Sequence, residues 1–251
     1  MSRKVKVVTD STADIPEAAR QLLDIDMVPL KVHLNDETYL DGVTLGPQAF
    51  YERLVVLEQL PTTSQPSPNE FVEVYRKASE DGKYDIISIH LSSALSGTYQ
   101  SAVLAKSMLE DEIAIDVIDS KKASYANGMI VTAVAKAAKE GRSLPECHAL
   151  AERYIEELQV YFLVDTLKYL QKGGRIGKAS ALVGSLLNIK PILTLDPDGE
   201  VAPDEKIRGK KRALGRIYEK LQQYAGDEAV RVAIMHAADR DEAATVEKAL
   251  K

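Results

Sequence analysis

Three short segments of this chain concentrate hydroxyls and backbone N–H groups with few charges: Thr9-Asp10-Ser11-Thr12-Ala13-Asp14, Thr62-Thr63-Ser64-Gln65-Pro66-Ser67 and Ser92-Ser93-Ala94-Leu95-Ser96-Gly97-Thr98. Such residues can hold an anion by hydrogen bonds, because the helix N-termini that follow such loops carry unsatisfied donors and partial positive charge. Ser and Thr also cap helices, so any single hydroxyl here has an ordinary structural reading. The 92–98 segment carries more hydroxyls around Gly97 than one cap uses, which makes it a candidate binding loop. A second candidate is Lys172-Gly173-Gly174-Arg175-Ile176-Gly177, where paired glycines let the backbone approach a ligand and Arg175 could pair with a carboxylate or phosphate. Its plain alternative is a helix end followed by a solvated arginine.

Other chemistries lack their residues. His33, His90, His148 and His236 are far apart and none has metal-ligand spacing, so no metal site is expected. Cys147 falls on an apolar helix face with Leu150, Ala151, Tyr154 and Leu158, the pattern of a buried structural thiol rather than a nucleophile. The G-x-S-x-G, Walker A and G-x-G-x-x-G patterns are all missing, so no cofactor is expected and no catalytic residue is assigned. Lys206, Arg208, Lys210, Lys211, Arg212 and Arg216 form one basic run, readable as a solvated helix face or as a docking site for an acidic partner or headgroup.

The elements that must position these segments alternate. Val5, Val7 and Val8 read as a strand, and Asp14-Ile15-Pro16-Glu17 as a capped helix start. Val28, Leu30, Val32 and Leu34 have the period-two spacing of one half-buried strand, with a turn at Asn35-Asp36-Glu37 into another. A helix is expected over 47–59, a loop over 61–67, and a helix opened by the capping box Ser67-Pro68-Asn69-Glu70. The isoleucine-rich Tyr84–Leu91 reads as a strand buried on both faces, followed by a helix to about 109, a strand Ile113–Ile118 and helices over 123–140 and 143–158. Strands alternating with helices imply an α/β fold with a mostly parallel sheet, whose ligands sit beyond the carboxyl ends of the strands. Further on, a strand Val160–Val164, a helix over 178–188, a hairpin across Asp196-Pro197-Asp198-Gly199, a helix over 209–225, a strand Val230–Met235 and a helix over 239–250 are expected. This mixed region forms a smaller second domain, with domains at 1–162 and 163–251.

With 251 residues, 45% of them hydrophobic, the chain can bury an ordinary core. Its net charge of −6 disfavours broad attachment to nucleic acid or to anionic membranes. A single cysteine fits a reducing compartment, and Met1-Ser2-Arg3-Lys4 runs into a strand rather than a secretion signal, so a cytoplasmic location is expected. No apolar run of about 18 residues is present to cross a membrane.

Val8-Thr9-Asp10-Ser11-Thr12-Ala13-Asp14, Thr63-Ser64-Gln65-Pro66-Ser67, Ser92 to Thr98 and Tyr169-Leu170-Gln171-Lys172-Gly173-Gly174-Arg175-Ile176 stand in the order and approximate spacing of the DegV family, which the chain resembles over almost its whole length. The resemblance implies a two-domain fold around one long-chain fatty acid, its tail in an apolar tunnel and its carboxylate at the serine and threonine loops. It implies a lipid-binding protein, not an enzyme. Such a protein would be the acyl-binding subunit of a fatty acid kinase, delivering the carboxylate to a separate ATP-binding subunit that makes acyl phosphate for phospholipid synthesis. Contact with the membrane would be transient, and nucleic acid would not be a partner. Carried over residue by residue, Thr63 and either Ser93 or Ser96, beside Gly97, would hold the carboxylate, with Arg175 near it. Family members continue to a His-x-Gly-Pro-Gly motif whose histidine faces the carboxylate. This chain ends at Lys251 without the motif, so its second domain is expected to be shortened, and His236 belongs to an earlier strand. The alternative of a different class is an acyl or phosphoryl transferase or hydrolase with Ser93 or Ser96 as nucleophile, for which no base is visible.

Overall fold

The computed structural model describes residues 3–80, 82–184 and 189–250. The chain divides into two compact units, Met1–Leu158 and Gln159–Lys251.

In the first unit the elements are β1 (Lys4–Asp10), α1 (Glu17–Leu23), β2 (Ile25–Val28), β3 (Lys31–Leu34), β4 (Glu37–Leu40), α2 (Pro47–Leu54), β5 (Thr62–Ser64), α3 (Pro68–Ser79), β6 (Tyr84–His90), α4 (Thr98–Met108), β7 (Ile115–Asp119), α5 (Tyr125–Lys139) and α6 (Leu144–Glu157). A parallel sheet in the order β2-β1-β6-β7 forms the centre. Its strands alternate two apolar sets. Val5, Val7, Ile87 and Ile89 pack with Ile130, Val131 and Val134 of α5 and with Cys147 and Ala151 of α6. Val8 and Ile86 pack on the other face with Phe71 and Tyr75 of α3 and with Ala102 and Ala105 of α4. Strands covered on both faces can spare few polar side chains, which explains their Val and Ile content.

Several local expectations give way to tertiary context. The alternation from Val28 to Leu34 spans two strands in different sheets, because Pro29 has no N–H and the Leu30 N–H is taken by the Ser11 hydroxyl at 3.1 Å. Asp14 does not cap the start of α1: it closes the 3-10 turn Ser11–Ala13 with φ 51° and accepts from the Ser124 hydroxyl, and α1 starts only after Pro16. The helix expected to 59 stops at Leu54, and Val55 and Val56 just beyond it are 82% and 78% exposed, so little apolar burial among the described residues favours a further turn. Thr62–Ser64, expected as loop, pairs antiparallel with β3 in a small sheet β4-β3-β5. The sequence could not announce this strand, since the free edge of β3 creates it.

In the second unit, α7 (Lys168–Lys172), β8 (Ile189–Leu195), β9 (Val201–Arg208), α8 (Lys210–Ala225) and α9 (Arg240–Leu250) follow. The strand expected at Val160–Val164 reduces to one bridge, Phe162 to Leu193, with N–H to carbonyl distances of 2.9 Å in both directions. The helix expected over 178–188 is a 3-10 segment, Gly177–Leu182, and residues 185–188 lie outside the described ones. Gly177 has φ 49°, and a Cβ there would meet the Val201 carbonyl at 2.5 Å, so only glycine lets this segment lie against β9. The β8–β9 hairpin forms as its turn residues require: Asp196 Oδ1 accepts from the N–H groups of Asp198 and Glu200, both at 3.0 Å. Val230–Met235 forms no strand among the described residues. Val230, Val232 and Met235 stay 42%, 43% and 46% exposed, because an alternating pattern becomes a strand only beside a partner ladder. Two of the six members of the basic run, Lys210 and Arg216, are paired within the unit, as is Lys220 beyond it. Arg216 grips Glu205, Lys220 bridges Asp204 and Glu205, and Lys210 meets Glu242. Arg216 and Lys220 together pull the Glu205 carboxyl down to about 2.

Candidate anion-binding site

β1, β6 and β7 end side by side at Asp10, His90 and Asp119, so the loops that follow share the carboxyl edge of the sheet. Asp10 is fully buried and acts as a tether. Its Oδ2 accepts from the Leu91 N–H at 3.1 Å and faces His90 Nδ1 at 2.9 Å, while Oδ1 accepts from the Thr12 N–H at 3.0 Å. One carboxylate therefore joins the first loop to the root of the serine loop. With the His90 proton placed on Nδ1 toward Asp10, Nε2 accepts from Ser88 Oγ at 2.7 Å, and Ser88 Oγ accepts from the Tyr75 hydroxyl at 2.8 Å. Burial pushes the Tyr75 hydroxyl well above its ordinary pKa, with the Ser88 hydrogen bond opposing. The order Asp10–His90–Ser88 has the residue types of a hydrolase triad, yet all three are 0% exposed and no substrate reaches them. Saturated and sealed, this chain is a strut.

The serine loop is built on that strut. The Ser92 N–H donates to the Lys122 carbonyl at 2.8 Å, and the N–H groups of Leu95 and Ser96 donate back to the Ser92 carbonyl at 3.0 and 3.2 Å, closing a tight turn. Ser93 is exposed, and it donates to Asp119 twice, through its hydroxyl at 2.6 Å and its N–H at 3.1 Å. Ser96 Oγ lies 2.9 Å from Thr98 Oγ1 and accepts from the Thr98 N–H at 3.3 Å, so it serves as a helix-start hydroxyl for α4. The Ser93 hydroxyl is bonded to the Asp119 carboxylate rather than to an imidazole.

Thr63 lies in β5 opposite Val32 and is exposed, and the neighbouring Ser64 hydroxyl sits 3.0 Å from His33 Nε2. The two polar segments meet at Gly97. A Cβ on that residue would come within 2.8 Å of Gln65 Nε2 and 3.1 Å of Gln65 Cδ, so the glycine leaves the space that the Gln65 amide occupies. The structure thus brings the 62–67 and 92–98 segments together in the first unit, carrying Thr63, Ser93, Ser96 and Gly97. Arg175 lies in the second unit just past α7, exposed, with its guanidinium donating to the Gly173 carbonyl. Sequence reasoning did not single out Gln65, His90, Asp119 or Lys122, and took Asp10 only as part of a loop. The one available signal was that Asp10, His90 and Asp119 each close an apolar strand.

A carboxylate group adjoins the first loop. Burial holds both Asp14 and Asp41 above the usual carboxylate range, opposed by the Ser124 and Ser11 hydroxyls respectively and reinforced in each case by Asp10. Among the described residues no group of three or more His, Cys, Asp or Glu could hold a metal ion, and no helix is long and apolar enough to cross a membrane.

The comparisons with known proteins agree with this architecture. The profile of a family described as "Uncharacterised protein, DegV family" matches residues 4–251. Protein DegV of Bacillus subtilis is 42% identical over 245 residues, 96% of this chain and 86% of the relative. The crystal structure of DegV from Bacillus subtilis, described as a fatty acid binding protein, superposes with a TM-score of 0.91 at 41% identity, covering 99% of this chain and 88% of that one. A structure described as fatty acid binding of a DegV family protein from Thermus thermophilus has a TM-score of 0.81 at 39% identity, covering 89% of this chain and 78% of that one. In sequence and in fold, this chain belongs to the DegV family.

Proposed function

We propose that the chain binds one long-chain fatty acid, holding the carboxylate where the 62–67 and 92–98 segments meet, and presents that carboxylate to the ATP-binding subunit of a fatty acid kinase. The contact between Gly97 and the Gln65 amide supports the reading most directly, since it sets a side chain of the threonine segment against the serine loop. Thr63, Ser96 and the backbone at Gly97 supply donors, Ser93 adds one by turning its hydroxyl from Asp119 to the ligand, and Arg175 contributes positive charge to affinity. Relatives described as fatty acid binding proteins support the ligand class. Energetics are adequate: burying an acyl chain at about 0.8 kcal/mol per CH₂ yields on the order of 10 kcal/mol before binding costs. The chain itself turns nothing over, works in the cytoplasm and touches the membrane only while lipid is exchanged.

Mass spectrometry of the denatured protein should release a fatty acid, and stripped protein should bind added oleate or palmitate. Finding neither would defeat the proposal. Acyl phosphate should form only when the chain, its fatty acid, ATP and a kinase subunit are combined. Arg175→Ala should weaken oleate binding several-fold in the same titration.

A further inference from the structure

We infer that Asp119 is a specificity-determining residue: its carboxylate competes with the fatty acid's own for the Ser93 donors and so lowers affinity for an ionised headgroup. This rests on the fatty-acid reading and names the residue that tunes it. The Ser93 N–H donates to Asp119 Oδ1 at 3.1 Å and the Ser93 hydroxyl to Oδ2 at 2.6 Å, so one serine grips both oxygens of a carboxylate. A carboxylate only accepts, so the hydroxyl proton lies on that bond and is not offered outward. Ser67 and Ser143 hold Glu70 and Glu146 with the same two donors, but on one oxygen, Oε2, and within capping boxes that close a helix turn. The Ser93 grip closes no helix turn: Asp119 is 26 residues away, and α4 starts at Thr98, whose N–H donates to Ser96. It stands on an exposed serine at the carboxyl edge of the sheet, where ligands of such sheets sit.

Asp119 is also held independently of Ser93. Its Oδ1 accepts from the Lys121 N–H at 3.0 Å, and among the described residues no cation pairs with it. Its charge therefore stays unneutralised beside the serine hydroxyl and opposes a second carboxylate. An incoming carboxylate gains that hydroxyl only by breaking a charge-assisted hydrogen bond, about twice as strong as a neutral one. An alcohol headgroup avoids both costs, because its own O–H donates to the lone pairs that Ser93 leaves open. A carboxylate bound against such competition is released more readily, which suits a headgroup that is handed on.

Asp119→Asn separates the two roles of the side chain. Its amide oxygen can keep both backbone bonds made to Oδ1, while the negative charge and the hold on the hydroxyl proton are removed. The stripped full chain is titrated by calorimetry with oleate and with oleyl alcohol, which share a tail and differ in charge. In Asp119→Asn oleate should bind about 10-fold tighter, with oleyl alcohol affinity changed less than about twofold. Ser93→Ala should then lose more oleate affinity in the Asp119→Asn background than in the unaltered protein, because the freed hydroxyl is committed to ligand. Unchanged or weaker oleate binding in Asp119→Asn, or an equal gain for both ligands, overturns the inference and leaves the fatty-acid reading in place. Asp119→Ser gives the same comparison should the asparagine variant fail to fold, and loss of fold in both marks Asp119 as a structural anchor and also overturns it. An unaltered protein that binds neither ligand removes the fatty-acid reading itself and the inference with it.

Discussion

Ser88 and Ser93 stand on one continuous stretch of strand and loop, yet they belong to two different kinds of site. Ser88 lies in the sealed chain Tyr75–Ser88–His90–Asp10, where every hydrogen-bonding group meets a partner and exposure is nil. Ser93 lies at the rim, exposed, with its hydroxyl turned by a carboxylate. Residue types alone would assign the reactive role to the first group, since it contains the acid, the imidazole and the hydroxyl. Burial assigns it the opposite role. A buried network satisfied at every position rigidifies the fold, whereas exposed hydroxyls oriented by a rigid base remain available to ligand.

The comparison predicts a sharp division of effects. Asp10→Ala leaves the Leu91 and Thr12 N–H groups and His90 Nδ1 without their buried acceptor, and should cost about 3 kcal/mol, read as a fall in the urea midpoint. Ser93→Ala and Ser96→Ala should lower oleate affinity about 10-fold, or about 1.4 kcal/mol each, while changing stability by no more than about 0.5 kcal/mol. If the rim variants lose stability as Asp10→Ala does, the two regions are one structural network and the division fails. Gly97→Ala places a methyl against the mobile end of Gln65, which can yield, so a roughly threefold loss of affinity with little loss of stability is expected in the same titration. An unaltered affinity would mean that the junction of the two segments does not touch ligand.

How far these roles can be read from sequence depends on how local their causes are. The start of α3 is legible because its capping box closes within one turn, with the Ser67 N–H donating to Glu70 Oε2 at 2.8 Å. The Ile-rich β6 is legible because burial on both faces leaves a mark in every residue. The serine loop is legible by hydroxyl density alone. In contrast, Asp10 and His90 are 80 residues apart, and only the parallel register of β1 and β6 joins them. Asp119 and Lys122 escape notice for the same reason, since strand order sets them beside the serine loop. Val230–Met235 shows the converse error: a strand pattern complete in itself, without a neighbouring strand among the described residues.

The smallest effect expected comes from the acidic group beside the strut, and it sharpens the comparison by asking whether the first loop carries strain that the strut must hold. Burial raises the Asp41 carboxyl above its ordinary value of 3.8, the Ser11 hydroxyl partly opposes this, and Asp10 adds repulsion. The folded protein therefore holds the proton more tightly than the unfolded chain does, so stability from this group is greatest below the ordinary value and declines as pH rises through the raised one. Asp14, raised by burial, adds a decline of the same sign, and Tyr51 beside both is raised chiefly by burial and then by their charges. Asp41→Asn removes one of the two carboxylates, so urea midpoints measured from about pH 4 to about pH 7 should fall less steeply than in the unaltered protein while keeping the part due to Asp14. Identical slopes would show that Asp41 ionises without cost, and the first loop would then be held by hydrogen bonding alone rather than against charge.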